Sequence, residues 1–326
     1  MNRKLFLLLA MLSACLTLNA QKPDPDFFIY LCFGQSNMEA GARPAEQDEG
    51  FNDPRFQFMA AVDMPRFQRE RNHWYTAVPP ICRETNNMGP VDFFGRKMIE
   101  VLPEKYKVGV INVSVAGAKL ELWDKDACEE YLAMEAADPS RSWLVDMAKL
   151  YGMNPYQRLM ETAREAQKYG VIKGMLMHQG ESNPDDPEWP GRVKKIHDDL
   201  CADLGLDPDA IPLLAGELKY AEQDGVCAAF NDVVLPNLPK VMPNAYIISA
   251  SVARVPVTSS ISARRACASW VTGWLTRCSN SKDSRKSNAA PSTSSRTSSA
   301  SPSVPPWPVS SSRTSTSPWT EVSAPS

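Results

Sequence analysis

The sequence predicts an α/β fold in which a parallel sheet is covered on both faces by helices. Two observations lead to this prediction: short apolar runs recur along the chain, and helical patterns separate them. A strand inside a parallel sheet is buried on both faces and is apolar throughout, whereas a strand with one solvated face alternates. Alternation of such strands with helices is typical of a parallel sheet. The expected architecture is therefore a three-layer α/β/α arrangement.

Five segments have the composition of buried strands, being rich in β-branched, aromatic or other apolar residues. They are residues 27–33, 108–115, 171–177, 211–215 and 246–248. The carboxyl ends of parallel strands share one edge of the sheet, and ligands bind at that edge in folds of this kind. The residues that follow the strands are therefore the candidates for a functional site.

The clearest helical pattern precedes the third strand. Asn154 is a good N-cap, Pro155 suits the first helical position, apolar residues follow at helical spacing, and Gly170 ends the pattern. Weaker helical patterns cover residues 92–102, residues 190–204 and the stretch after residue 222. Residues 38–90 show little periodicity and many Pro, Arg and aromatic residues, which predicts a long ordered loop near the site.

The first 20 residues have the layout of a secretory signal peptide. A basic start precedes an apolar run too short to span a bilayer, and Ala20 offers a small residue for cleavage. Export to the periplasm or the extracellular space is therefore expected. Cys15 lies in a sequence that resembles a lipoprotein box, but the residues after it are still apolar, which favours a continuing signal sequence.

The last 76 residues differ in composition from the rest of the chain. In residues 251–326, 39 of 76 positions are Ser, Thr or Pro, and the net charge is +7, whereas the whole chain carries −3. Such a segment has too few apolar residues to form a core. We therefore predict a signal peptide at 1–20, one domain at 21–250 and a disordered low-complexity tail at 251–326. The near-neutral total charge gives no reason to expect nucleic-acid binding.

Five cysteines lie in the predicted domain, at positions 32, 82, 128, 201 and 227. Their number is odd, and they show no spacing typical of a metal site. We expect buried thiols, with at most one or two pairs bridged.

Polar and glycine-rich turns follow the predicted strands. Ser36 follows the first strand through Gly34, as a nucleophile on a tight strand-to-helix turn would, although an ordinary helix N-cap is the commoner role for such a serine. After the second strand, Gly117 is either a turn glycine or a backbone donor to an oxyanion. After the third, Gln179 either ties loops together or donates to the same oxyanion, and Glu181 is expected to accept hydrogen bonds that orient loops. His178 is expected to be packed and hydrogen-bonded.

These segments resemble the carbohydrate-esterase branch of the SGNH hydrolases, the group of sialate O-acetylesterases and acetyl xylan esterases. The resemblance rests on GQSNM at 34–38, Gly117 before Trp123, and HQGESN at 178–183, over roughly residues 26–250. It implies a flavodoxin-like three-layer fold, a Ser36 nucleophile, an oxyanion hole made by Ser36, Gly117 and Gln179, and supporting roles for Asn37 and Glu181. It also implies an acetylated carbohydrate substrate, with no metal or other cofactor. The charge balance and the short apolar run separately predict no nucleic-acid partner and no integral membrane span.

The family's general base is missing from the chain. The family places it in an Asp-x-x-His-Phe segment after the last strand, where His takes the serine proton and Asp holds the imidazole. This chain has three histidines, at 73, 178 and 197, and none has an Asp three residues before it. The catalytic His and Asp are therefore absent, and the gap falls where the composition changes.

Codon logic indicates that the tail is translated in the wrong frame. With triplets shifted one base upstream, Trp270-Val271 must encode Gly, Trp274-Leu275 must encode Ala or Val, and an L-G-x-R-x-A helix signature becomes possible. The triplets spanning Val257-Thr258 and Ser260-Ile261 can encode Asp and His. A frameshift is favoured over the alternative, an exported Ser/Thr/Pro-rich stalk.

Two functional classes follow. The first is a serine esterase that removes O-acetyl groups from carbohydrate through an acetyl-enzyme, inactive in the chain as written. The second is a catalytically dead protein that binds carbohydrate.

Overall fold

The computed structural model describes residues 22–39, 43–44, 46–221 and 225–250, which fold around a single sheet. Its strands are β1 (Phe27–Gly34), β2 (Phe56–Met59), β3 (Trp74–Thr76), β4 (Lys107–Ser114), β5 (Val171–His178), β6 (Leu213–Gly216) and β7 (Ala245–Ile248). Their order across the sheet is β3-β2-β4-β1-β5-β6-β7. All neighbouring pairs are parallel except β2–β3, which is antiparallel at the sheet edge.

The α-helices connect these strands. They are α1 (Ser36–Glu39), α2 (Pro90–Val101), α3 (Cys128–Ala137), α4 (Ser142–Leu150), α5 (Pro155–Ala166), α6 (Trp189–Asp203), α7 (Ala229–Val233) and α8 (Leu238–Val241). Short 3-10 helices occur between them, including Leu120–Trp123 after β4.

Both faces of the central strand β1 are covered, as the three-layer prediction requires. Alternate residues of a strand point to opposite faces. The Tyr30 ring lies 4.9 Å from the Phe94 ring of α2, whereas the Phe33 ring lies 6.2 Å from the Trp123 ring in the 3-10 helix after β4. Tyr30 and Phe33 are both buried, so β1 forms the centre of the core.

The predicted fold class is confirmed. Each of the five predicted strands exists, and their ends differ from the predicted ends by at most two residues. The Asn154 cap is also observed: its side-chain oxygen accepts a hydrogen bond from the Gln157 amide at 2.9 Å, and Pro155 begins the helix. The sheet is mostly parallel rather than wholly so, because of the edge strand β3.

The prediction of a loop over residues 38–90 is wrong in part, because β2 and β3 lie within it. These strands have four and three residues, too few to show a periodic pattern, and β3 pairs only at the sheet edge. Helices α3 and α4 were not predicted either. Only three residues of α3 are buried (Cys128, Tyr131 and Leu132), so its sequence has almost no amphipathic pattern.

The five cysteines of the domain are free thiols, and four of them are buried, as expected of small apolar residues. No helix among the described residues is long and apolar enough to span a bilayer. The predicted signal peptide at 1–20, with Cys15, and the predicted tail at 251–326 lie outside the described residues.

A buried carboxyl in α2 makes stability depend on pH. Asp92 is 1% exposed, and its Oδ2 accepts a hydrogen bond from the Gly89 amide at 2.8 Å. Burial raises the pKa of Asp92 to about 7, above the value near 4 of an unfolded chain. The folded state therefore holds this proton more tightly. The contribution of Asp92 is most favourable below about pH 4 and is lost as the pH rises to about 7.

We expect Asp92→Asn to flatten this pH dependence. Between pH 5 and pH 8 the ionisation of Asp92 should lower the free energy of unfolding by about 2–3 kcal/mol, and an amide cannot ionise. Denaturant unfolding at both pH values, with the variant compared with the parent, measures the difference. Asp146→Asn is the matched control, because the Asp146 side chain is 67% exposed. An unchanged pH dependence in Asp92→Asn would contradict the assignment.

Candidate active site

The turn after β1 places Ser36 at the carboxyl edge of the sheet. Gly34 has a φ of +148°, and a Cβ there would lie 2.2 Å from the His178 carbonyl oxygen of the adjacent β5, so only glycine fits. The Gln35 amide donates to that same oxygen at 3.0 Å. Ser36 then begins α1 and is exposed, whereas Gln35 and Met38 on either side are buried. The hydroxyl is therefore presented to solvent on a tightly held turn.

The loop after β4 lies beside this turn. The sheet register pairs Gly34 with Ser114, and the Val115 amide donates to the Gly34 carbonyl at 3.0 Å. Gly117 follows with a φ of +63°. Within the described part of the chain, the backbone amides of Ser36 and Gly117 donate to no protein acceptor. Two uncommitted N–H groups at adjacent turns are what an oxyanion hole requires.

Glu39 fixes the distance between the two turns. It is 7% exposed, and its Oε1 accepts from the Ala116 amide at 2.6 Å and lies 2.6 Å from the Arg83 Nη2. Burial raises the pKa of the Glu39 carboxyl, and the Arg83 charge opposes that rise. The carboxylate thus joins the helix that starts at Ser36 to the residue before Gly117. Neither Glu39 nor Arg83 can be recognised from the sequence, because neither lies in a motif that marks it.

The loop after β5 is joined to the serine turn by side chains. The Gly180 amide donates to Gln35 Oε1 at 3.2 Å, and Asn37 Nδ2 donates to Glu181 Oε1 at 2.6 Å. Glu181 therefore accepts a hydrogen bond from the segment that carries Ser36. These contacts bring together the GQSNM and HQGESN segments, which are 144 residues apart at the Asn37–Glu181 contact.

Gln179 is buried, and its amide is engaged on both sides. Its Oε1 accepts from Trp189 Nε1 at 2.5 Å, and its Nε2 donates to Asn183 Oδ1 at 2.6 Å and to the Ala118 carbonyl at 3.4 Å. Of the two roles considered for Gln179, these contacts favour the tie between loops. A role as third oxyanion donor requires the amide to release the long contact to Ala118. Asn183 and Trp189, which fix this amide, were not singled out from the sequence.

Each of the three histidines hydrogen-bonds a backbone carbonyl, and none of the described hydrogen bonds joins a histidine to Ser36. The exposed His73 donates from Nδ1 to the Arg71 carbonyl at 3.0 Å, and the buried His197 donates from Nε2 to the Ile211 carbonyl at 2.8 Å. His178 Nε2 lies 3.1 Å from the Glu217 carbonyl, so this nitrogen carries the proton and the ring is oriented towards the loop after β6. His178 is thus a hydrogen-bonded histidine at the side of the site, as expected.

The chain leaves β7 close to the same edge of the sheet. Glu217 Oε2 accepts from the Ser249 hydroxyl at 2.9 Å and from the Ala250 amide at 2.8 Å. The segment in which the recovered Asp and His codons fall begins directly after this contact and lies outside the described residues.

A family model described as carbohydrate esterase, sialic acid-specific acetylesterase, matches residues 26–256. The chain belongs to this carbohydrate esterase family. The family match ends within the segment where the composition changes, and it covers the serine turn, the Gly117 loop and the loop after β5.

Two solved structures share the fold. A protein from Arabidopsis thaliana is 15% identical with a TM-score of 0.55, and the match covers 78% of this chain and 99% of that one. A carbohydrate acetylesterase from Xanthomonas citri is 16% identical with a TM-score of 0.50, and the match covers 73% of this chain and 54% of that longer one. At these identities the likeness shows the α/β fold alone.

Proposed function

We propose that this protein is the scaffold of a serine esterase that removes O-acetyl groups from exported or extracellular carbohydrate. The observation that carries the proposal is the pairing of an exposed Ser36 with two uncommitted backbone N–H groups, at Ser36 and Gly117. A hydroxyl beside two such donors suits attack on a carbonyl whose oxygen becomes negative. Membership of a carbohydrate esterase family supports an ester of a sugar as substrate.

The proposed reaction has two steps. In the first, Ser36 Oγ attacks the acetyl carbonyl as its proton passes to a base, and the sugar oxygen leaves with that proton. The amides of Ser36 and Gly117 stabilise the tetrahedral oxyanion, and Gln179 can add a third donor if it releases Ala118. In the second step water attacks the acetyl-enzyme, acetate leaves, and Ser36 Oγ regains its proton.

The chain as written lacks the base for this reaction. We propose that a shift of reading frame after about residue 250 has replaced the family's Asp-x-x-His-Phe segment, which codon logic recovers across positions 257–262. The three described histidines hydrogen-bond backbone carbonyls rather than Ser36, which also supports the second candidate for the chain as written, a carbohydrate-binding protein without turnover.

Acetate release tests the proposed function. A protein expressed in the restored frame, as a secreted product without residues 1–20, should release acetate from O-acetylated xylo-oligosaccharide or from O-acetylated sialic acid, measured by an enzyme-coupled acetate assay. A restored protein that releases acetate from neither sugar nor from a small aryl acetate would contradict the esterase.

A further inference from the structure

A cavity lies beside the Gly117 loop and outside the machinery described above. Its volume is about 310 Å³, at the lower end of the range for small-molecule sites. It is formed by the segment from Lys119 to Glu121 and by the region of α3 up to Arg141. Arg141 Nη2 donates to the Gly117 carbonyl at 3.0 Å, so one residue both lines the cavity and holds the oxyanion loop.

An exposed tryptophan stands at the same loop. Trp143 is 42% exposed, and a Cβ at Gly117 would lie 2.5 Å from its Cη2, so the indole packs directly against the Gly117 backbone. The Arg141 guanidinium lies over the indole at 5.0 Å from the ring centroid, which fixes the ring. Arg141 is fixed in turn by Glu135, with 2.6 Å between Nε and Oε2. A rigid aromatic surface is thus held beside a proposed oxyanion donor.

The charged residues of the cavity are mostly carboxylates. Its charged lining residues are Lys119, Glu121, Glu130, Glu135, Asp138 and Arg141, with a net charge of −2 from four acidic and two basic groups. Glu121 pairs with Arg192 at 2.8 Å, and Arg141 is committed to Glu135 and Gly117. Ionised carboxylates only accept hydrogen bonds, so they suit a ligand rich in hydroxyl donors and repel a ligand carboxylate.

We propose that Trp143 and this cavity form the subsite for the sugar that carries the ester, and that the subsite selects neutral glycans over acidic sugars. The indole offers an apolar surface to the C–H face of a sugar ring, and the carboxylates accept hydrogen bonds from its hydroxyls. The inference rests on the proposed function for the identity of the ligand as an acetylated sugar. It assigns the chain a neutral polysaccharide substrate, such as an acetylated xylan, rather than a sialic acid.

Binding to the chain as written tests the subsite without any need for turnover. Isothermal titration with O-acetylated xylotetraose and with 9-O-acetyl-N-acetylneuraminic acid should show the neutral probe binding at least about tenfold more tightly. Trp143→Ala should weaken xylotetraose binding at least about tenfold, and Trp143→Phe should restore most of the affinity, which separates stacking from misfolding. Tyr169→Ala is the matched control, because Tyr169 is an aromatic residue 48% exposed that precedes β5 at the opposite edge of the sheet.

Charge selection is tested on neighbouring glutamates of α3. Glu130 lines the cavity, and the exposed Glu129 beside it does not. Glu130→Gln should tighten binding of the acidic sugar about threefold or more, and Glu129→Gln should leave it unchanged. Tighter binding of the acidic sugar by the parent, equal losses in Trp143→Ala and Tyr169→Ala, or binding of neither probe would overturn the proposal.

The same variants distinguish failure of the subsite from failure of the esterase. In the restored frame, cleavage of a small aryl acetate by the parent protein reports the esterase alone, because that substrate has no sugar to stack on Trp143. If glycan binding depends on Trp143 while the restored protein releases no acetate, the subsite stands and the esterase fails. If acetate is released and Trp143 has no effect on glycan binding, the esterase stands and the subsite fails.

Discussion

Ser36→Ala in the restored-frame protein should lower kcat by about 10⁶-fold. The loss of a catalytic serine in a comparable triad has an effect of this size, because the covalent route is removed and only the oxyanion donors and substrate binding remain. Ser36 is the exposed first residue of α1 on a turn that only glycine at 34 permits. The KM for the glycan should change little, since the hydroxyl contributes little to binding. Initial rates of acetate release at saturating substrate give the comparison.

The matched control is Ser182→Ala, a second partly exposed hydroxyl in the loop after β5. It follows no strand-to-helix turn, and we expect kcat within about threefold of the parent. If Ser36→Ala retained most of its activity, or if Ser182→Ala lost as much as Ser36→Ala, the assignment of the nucleophile would be wrong.

The chain as written should turn over about 10⁶-fold more slowly than the restored protein. An unactivated serine hydroxyl is a weak nucleophile, and loss of the histidine of a triad costs about as much as loss of its serine. His178, the histidine nearest to the site in sequence, is already hydrogen-bonded to the Glu217 carbonyl. Rates of both proteins on the same aryl acetate measure the difference.

A third protein separates the effect of the recovered histidine on turnover from the effect of the rest of the restored segment. It carries the restored frame with the recovered histidine codon, across positions 260 and 261, replaced by a glutamine codon. It should be as slow as the chain as written while keeping the thermal stability of the restored protein. Rapid turnover by the chain as written would show that a base comes from elsewhere. The nucleotide sequence of codons 250–262 checks the frame itself.

The central part of the fold follows from the sequence because its strands are buried on both faces. The segments around Tyr30 and Ile111 are apolar apart from the buried Asn112 and Ser114, and such runs have few alternatives to a central parallel strand. The edge strand β3 and its neighbour β2 could not be predicted from the sequence, because their few residues carry no period and are held by pairing with β4 and with each other. Helix α3 cannot be predicted from the sequence either, since most of its surface is exposed.

Some residues of the site can likewise be predicted from the sequence, and others cannot. Ser36 and Gly117 can be found from the sequence, because each follows a recognisable strand and glycine marks the turn. The residues that hold these turns together cannot be found from the sequence. Glu39 reaches the Ala116 amide 77 residues away, and Trp189 fixes the Gln179 amide from the start of α6. Such contacts depend on the positions of separate elements in space, which no local pattern encodes.

Covalent labelling is the sharpest test of Ser36 as the nucleophile. The restored-frame protein is treated with an organophosphate, its intact mass is measured, and the adduct is located by fragmentation of its peptides. We expect one adduct per chain, on Ser36, with acetate release lost in proportion to labelling, and no adduct in Ser36→Ala. An adduct on another serine that accompanies the loss of activity, or full activity with Ser36 labelled, would contradict this assignment.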